Sequence, residues 1–227
     1  MQAEFWHERW ATGQTGFHEA AANPLLTTHA SALALPRGAR VFLPLCGKTL
    51  DIDWLLGEGH RVVGAELSAI AVGEVFARLK REATIDQAGA MQKRSAPGLD
   101  VFVGDFFALT ADSLGVVDAV YDRAALIALP SEMRRCYAAH LTRITRGAPQ
   151  LLVALEYDQQ AVAGPPFSVE ADEVRALYGD RKPRSLARHT LAGGLKGKVD
   201  ATEQVWLLAS SPECGSSATA MSRTTRA

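Results

Sequence analysis

The sequence predicts an α/β fold: a mostly parallel, Rossmann-like sheet with helices on both faces and a terminal antiparallel hairpin. Two observations carry this expectation. From residue 40 to residue 178, short apolar runs bounded by turn residues alternate with capped, amphipathic stretches, the pattern of repeated strand–helix units. Two strand-like runs then follow one another near the carboxyl end with no helical stretch between them, so their pairing is antiparallel. A length of 227 residues suffices for one large domain with its own core, expected over 1–209.

Taken in order, residues 3–11 suit a short helix with Phe5, Trp6 and Trp10 as its aromatic side. Asn23-Pro24 is a cap followed by proline at the first helical position, and opens a helix to about Leu35. "RVFLP" (40–44) is a buried strand, and "LDIDWLLG" (50–57) is a helix closed by glycine. "RVVGAE" (61–66) is the next strand, followed by an amphipathic helix over 68–82 with Ser68 as its cap. The polar stretch 83–98 is loop or a small hairpin. "LDVFVGD" (99–105) and "VVDAVYD" (116–122) are strands, 131–145 is a helix, and "QLLVALEY" (150–157) is a strongly apolar strand. "GPPF" (164–167) must be loop, 170–178 is helical, and weaker strands over 184–189 and 203–209 finish the fold. Residues 210–227, rich in Ser, Thr and Ala, bury too little surface to offset ordering entropy and read as a flexible tail.

Bulk properties exclude several classes. A net charge of −1, with no Lys/Arg run, gives no field favouring nucleic acid or an anionic membrane. Cys46, Cys136 and Cys214 are odd in number and form no C-x-x-C pair, which argues against a disulfide framework. The histidines show no metal-ligand spacing, so no metal is expected. No apolar run reaches membrane-spanning length, and "MQAEFWHERW" lacks the apolar core of a secretory signal. A cytoplasmic monomer acting on a small molecule is expected.

"PLCGKT" (44–49) has the Gly-Lys-Thr of a phosphate loop, but the glycine required five residues before Gly47 is Phe42, and Pro44 has no N–H to offer a phosphate. The dinucleotide fingerprint of three glycines is also missing, although Glu66 closes the second strand 19 residues beyond Gly47. A carboxylate there suits ribose hydroxyls, so the scaffold fits an adenosine-bearing cofactor that needs no glycine-rich pyrophosphate turn. "GDFFAL" (104–109) ends another strand with Asp105 and Phe106, which suit an adenine, though both phenylalanines equally suit the core. Asp122 and Arg123 end the fourth strand, where the ligand crevice of such sheets opens. Cys46 reads as a packed thiol and the apolar run 125–129 as packing.

These stretches resemble the thiopurine S-methyltransferase family, in particular its bacterial branch. "FWHERWATGQTGFHE" (5–19), "VFLPLCGKTLDIDWL" (41–55), "GHRVVGAELS" (59–68), "GDFFAL" (104–109), "VDAVYDRAALIAL" (117–129) and "GPPFSV" (164–169) match in order and spacing. The resemblance spans about residues 3–180. It implies a class I methyltransferase with a seven-stranded-type sheet and S-adenosylmethionine as methyl donor. It also implies that Trp10, Leu45, Glu66 and Arg123 are the main cofactor contacts, with Trp6 and Gly47 beside them and Asp105-Phe106 flanking the adenine. Residues 1–18 would cover the cofactor and become ordered on binding it. Phe17, Arg123, Pro166 and Phe167 would face the acceptor. By the chemistry of the residues, Arg123 would favour the acceptor's anion, and Asp122 would orient the guanidinium or simply pair with it. Over 188–204 the chain departs from the family: no arginine aligns near the acceptor, and Gly193 to Gly197 reads as a loop of different shape. The implied acceptor is a thiopurine, another aromatic thiol, or a selenium or tellurium compound. A non-catalytic S-adenosylmethionine-binding protein and an oxidoreductase on a related sheet stand as alternatives.

Overall fold

A computed structural model describes residues 3–14 and 19–210. The chain begins with helix α1 (Ala3–Ala11) and α2 (Pro24–His29), which runs on as a 3₁₀ turn over Ala30–Leu33. Asn23 caps α2 by accepting the Leu25 N–H through Oδ1 (2.9 Å). Then come β1 (Arg40–Pro44), α3 (Asp51–Gly57), β2 (Arg61–Glu66), α4 (Ala69–Arg78), β3 (Thr84–Ala88), β4 (Met91–Ala96) and β5 (Leu99–Val103). The second half holds α5 (Ala111–Leu114), β6 (Ala119–Arg123), α6 (Ser131–Ile144), β7 (Gln150–Tyr157), α7 (Ala171–Tyr178), β8 (Arg184–Thr190) and β9 (Ala201–Leu208).

The strands form one sheet in the order β3-β4-β5-β2-β1-β6-β7-β9-β8. The five central strands, β5 to β7, are parallel, and β9 runs antiparallel between β7 and β8. This is the seven-stranded arrangement with the expected terminal hairpin, widened by two strands. The stretch 83–98, open as loop or hairpin from sequence, is the β3–β4 hairpin, and β4 pairs antiparallel with β5. Helix α4 stops at Arg78, short of the expected 82. Lys80 adopts φ +52°, and the Arg81 N–H reaches back to the Phe76 carbonyl (3.0 Å). That geometry ends helices at glycine; with lysine in the left-handed position, the usual stop signal is missing from the sequence. The four-residue α5, capped by Thr110 Oγ1 on the Ser113 N–H (3.1 Å), was not expected.

Strand alternation splits the core between the two faces. Phe42, Val63, Phe102, Val120 and Leu152 pack toward Tyr137, Leu141 and Ile144 of α6. Val41, Leu43, Val62, Val101 and Val153 pack toward Leu25, Ile52, Leu55, Val72 and Val75 of α2, α3 and α4. Chain order reverses between β1 and β6, so a crevice opens over the carboxyl ends of these neighbours.

Gly64 holds the turn after β1 close to β2. A Cβ there would lie 2.8 Å from Cys46 Sγ and 3.4 Å from a Val101 methyl. Gly64→Ala is expected to cost about 1–3 kcal/mol by overpacking. Adding Cys46→Ala should recover most of that loss in a thermal melt. An unchanged melting temperature for Gly64→Ala would show that the turn shifts freely.

Candidate functional site

The carboxyl ends of β1, β2, β5 and β6 border a cavity of about 780 Å³. Trp6, Arg9 and Trp10 of α1 line it, as do Pro165, Pro166, Leu191, Leu195 and Lys196. Of the residues singled out from sequence, Trp6, Trp10, Leu45, Gly47, Glu66, Asp105, Phe106, Arg123 and Pro166 line it. Phe17 lies outside the described residues.

The floor is the turn between β1 and α3. Leu45 (φ +47°) and Gly47 (φ +54°) are both left-handed, and for a leucine this costs about 1–2 kcal/mol. Flanking bonds hold the turn in place. The Cys46 N–H donates to the Ala65 carbonyl (3.0 Å) and the Gly47 N–H to Glu66 Oε2 (2.7 Å). Glu66 Oε1 accepts the Ser68 N–H (2.8 Å). One buried carboxylate thus ties the first turn to the start of α4, and each oxygen retains a second lone pair. Burial raises the Glu66 carboxyl above its usual range, against the pull of the Ser68, Gly47 and Leu67 N–H groups. Burial, followed by the charge of Glu66, pushes the Cys46 thiol up, which suits a packed thiol. Lys48 turns to Glu74 (2.5 Å), while Arg78 grips the Lys48 and Thr49 carbonyls and Asp53. The Gly-Lys-Thr triplet therefore spends its cation on α4 rather than on a phosphate.

At the end of β5, Asp105 Oδ1 caps the Phe106–Ala108 turn through the Phe107 N–H (2.9 Å), and its side chain stands at the exposed rim. Phe106 is buried against Tyr137 and His140 (ring centroids 5.1 and 4.9 Å), while Phe107 is half-exposed. The His140 tautomer follows from its neighbours. The Arg143 guanidinium can only donate to Nδ1 (2.8 Å), so Nε2–H donates to the Phe106 carbonyl (3.1 Å).

Asp122 and Arg123 separate. Adjacent strand residues point to opposite faces. Asp122 is fully buried on the α6 side, where Oδ2 accepts from Tyr137 Oη (2.9 Å) and Gln150 Nε2 (3.2 Å), and Oδ1 from the Leu126 N–H (3.2 Å). It is not among the cavity-lining residues, and the expectation that it orients Arg123 is corrected by this parity. Glu19 takes that place, pairing with Arg123 Nη2 while its carboxylate also accepts from Asn23 Nδ2 (3.2 Å). The two residues are 104 positions apart, and no sequence signal connects them.

Phe167 is a second correction. Its N–H donates to the Ile127 carbonyl (2.7 Å), its ring packs under Gly164, and it is not among the lining residues. Pro165 and Pro166 face the cavity instead. The region that departs from the family pattern does reach the site: Lys196 lines it and donates to the Pro165 carbonyl (3.3 Å). Sequence reasoning also missed Asp51, Tyr121 and Glu203, all of which line the cavity. Tyr121 had a usable signal, since it shares a strand face with Arg123 two residues on.

These residues fit an adenosine-bearing cofactor. The carboxylate at the β2 end has free lone pairs, the left-handed turn brings backbone to the cavity floor, and no lysine reaches from that turn toward a phosphate. Among the described residues, no group of three or more His, Cys, Asp and Glu is placed to hold a metal, and no helix is long and apolar enough to cross a membrane.

A family model described as Thiopurine S-methyltransferase (TPMT) matches residues 1–208. A thiopurine S-methyltransferase of Xanthobacter autotrophicus is 58% identical over 210 residues, 92% of this chain and 99% of that one. The namesake of Gluconobacter oxydans is 50% identical over 205 residues, covering 90% and 93%. Among solved structures, the 1,6-didemethyltoxoflavin-N1-methyltransferase of Burkholderia thailandensis, with S-adenosylhomocysteine bound, superposes with TM-score 0.62 at 15% identity over 91% of this chain and 87% of that one. The magnesium protoporphyrin IX methyltransferase of Synechocystis, also with S-adenosylhomocysteine, gives 0.56 at 16% identity, covering 89% and 98%. At such identities the likeness speaks for the fold.

Proposed function

The chain belongs to the thiopurine S-methyltransferase family, a family of S-adenosylmethionine-dependent methyltransferases, and from that premise we propose that it methylates the thiol sulfur of a thiopurine or similar aromatic thiol. The observation that carries the proposal is Arg123. It lines the cavity together with Trp6 and Trp10 of α1 and with Pro165 and Pro166, and its guanidinium pairs with Glu19. When bound, the donor supplies an electrophilic methyl on a sulfonium sulfur.

The residues of this chain bind, align and exclude water. Glu66 has lone pairs for ribose hydroxyls, Leu45 and Gly47 let the floor approach the cofactor, and Asp105 and Phe106 stand where an adenine would lie. Trp6 and Trp10 shield the cavity, and α1 acts as its cover. Arg123 favours the anionic form of an acceptor, lowering a thiol's pKa by an opposite charge. Glu19 already neutralises part of that charge, so an anionic acceptor must compete with it. A thiolate needs little further base catalysis, and the task left is alignment. Selenium and tellurium compounds are nucleophiles of the same soft kind and belong in the same test. A cytoplasmic monomer and a single domain over 1–209 are part of the proposal.

The test is release of S-adenosylhomocysteine against thiopurines, aromatic thiols, selenite, selenocysteine analogues and tellurite. Turnover with none of them, while S-adenosylmethionine still binds, would favour the non-catalytic binding protein. Arg123→Ala is expected to lower kcat/KM by about 100-fold. Its rate should also rise only at higher pH, because the acceptor must ionise unaided. An unchanged rate and pH profile would remove Arg123 from the acceptor side.

A further inference from the structure

Two buried polar groups of the cavity have no role in the reading above. Asp51 is 1% exposed and Tyr121 2% exposed. Asp51 Oδ1 accepts the Asn23 N–H (2.7 Å), but Oδ2 has no partner of good hydrogen-bond geometry among the described residues, and neither has Tyr121 Oη, although the two side chains approach one another closely enough for Asp51 to act on the hydroxyl as an acceptor. Both residues line the cavity. Unpartnered buried polar atoms are rare in folded proteins, because each forfeits its solvation without return. They are neighbours: after burial, the charge of Asp51 is the chief cause raising the Tyr121 hydroxyl, which stays protonated.

Their chemistry narrows the ligand. A carboxylate oxygen accepts only, and a phenol accepts as well as donates. A carboxylate and a phenol oxygen left open side by side call for a compact cation with several N–H donors. Arg123 is engaged with Glu19, and the residues form no metal-type cluster among those described. The position is informative too. Tyr121 lies on β6 and Glu66 on β2, the two neighbours of β1 on opposite sides, so the pair sits across the β1 turn from the ribose carboxylate. S-adenosylmethionine carries such a cation, the α-ammonium of its amino-acid end, on the far side of its ribose from the adenine.

We propose that Asp51 Oδ2 and Tyr121 Oη together receive the α-ammonium of the donor, and so choose an amino-acid-bearing nucleoside over one lacking that group. This rests on the S-adenosylmethionine reading. The pair would bind donor and demethylated product alike, and the selectivity shows in affinity rather than in the chemical step.

The test is calorimetry on the full chain with three probes: S-adenosylhomocysteine, its analogue lacking the α-amino group, and 5′-methylthioadenosine. The wild type is expected to bind the first about tenfold or more tightly than the second, as one charge-assisted hydrogen bond is lost. Asp51→Asn keeps an acceptor for Asn23, and should lose about tenfold for S-adenosylhomocysteine while leaving the other two unchanged. Tyr121→Phe should show the same pattern with a smaller loss. Equal wild-type affinity for the aminated and deaminated probes would overturn the proposal, as would an Asp51→Asn variant that weakens all three alike. If Asp51→Asn fails to fold, the wild-type comparison decides. Binding of none of the three by the wild type would overturn the S-adenosylmethionine reading and this proposal with it, whereas tight but undiscriminating binding would overturn this proposal alone.

Discussion

Glu66→Gln is expected to weaken S-adenosylhomocysteine binding by about 10- to 100-fold and to loosen the β1 turn. A carboxylate accepts on both oxygens, and here each already receives a backbone N–H, from Gly47 and from Ser68. An amide accepts on one side only, so its NH₂ must face one of those buried N–H groups. Hydrogen bonds to a charged group are worth about 1.5–3 kcal/mol, and the variant also leaves one N–H unpaired. The ribose would lose an ionised acceptor in the same step. The pH dependence offers an independent check. Burial raises the Glu66 carboxyl, and the ionised form is the one that accepts on both oxygens. Wild-type affinity should therefore fall, as pH is lowered, at a higher pH than an ordinary carboxylate would give, and the Gln variant should lack this fall. Calorimetry across pH checks both statements. Equal affinity and equal pH dependence in the two proteins would show that Glu66 only braces the turn.

Asp122→Ala should cost about 3–5 kcal/mol of stability, because three buried donors, Tyr137 Oη, Gln150 Nε2 and the Leu126 N–H, lose their acceptor together. For a chain of this size that corresponds to a fall of roughly 10 °C in melting temperature. The charge itself has a separate signature. Burial raises the Asp122 carboxyl from 3.8 to about 6, against the hydrogen bonds from Tyr137 and Leu126. A raised folded pKa means that the native state holds the proton more tightly than the unfolded chain. The stability this adds is fully present below about pH 4 and is lost as pH rises through about 6. Its size is about 3 kcal/mol, from the linkage of roughly 1.4 kcal/mol per unit. Asp122→Asn removes this contribution at the expense of one donor–donor contact. Chemical denaturation of wild type and Asn variant at several pH values measures the difference. A difference that stays constant between pH 4 and 6 would place the titration elsewhere.

The elements of this fold were largely readable because their signals are local. Asn23-Pro24 opens α2, Ser68 caps α4 with Oγ on the Ala71 N–H (3.2 Å), and the apolar runs at 40–44, 61–66 and 150–157 form central parallel strands. Glu66 and Leu45 were reachable for the same reason, since a strand-end acid and an unusual turn follow one another in the chain. The errors have physical causes. The reading of Asp122 as a partner of Arg123 treated neighbours in sequence as neighbours in space, although a strand sends them to opposite faces. Phe167 was assigned to the acceptor with its loop, but the loop turns that ring under Gly164 and presents the prolines instead. Phe106 suited both the core and an adenine, and it both packs with the core and lines the cavity.

The sequence alone determined most of the order of strands and helices, the absence of a phosphate-type loop, the family, and several of the cavity-lining residues. Each of these depends on periodicity, capping or motif spacing within a few tens of residues. The tertiary structure alone decided that Glu19 holds Arg123, that Lys196 enters the site from the divergent loop, and that Asp51 Oδ2 and Tyr121 Oη stand buried side by side at the cavity. Those facts depend on which distant segments close over the strand ends. Burial and pairing are properties of the packed assembly, and no local pattern encodes whether a side chain's hydrogen bonds are met.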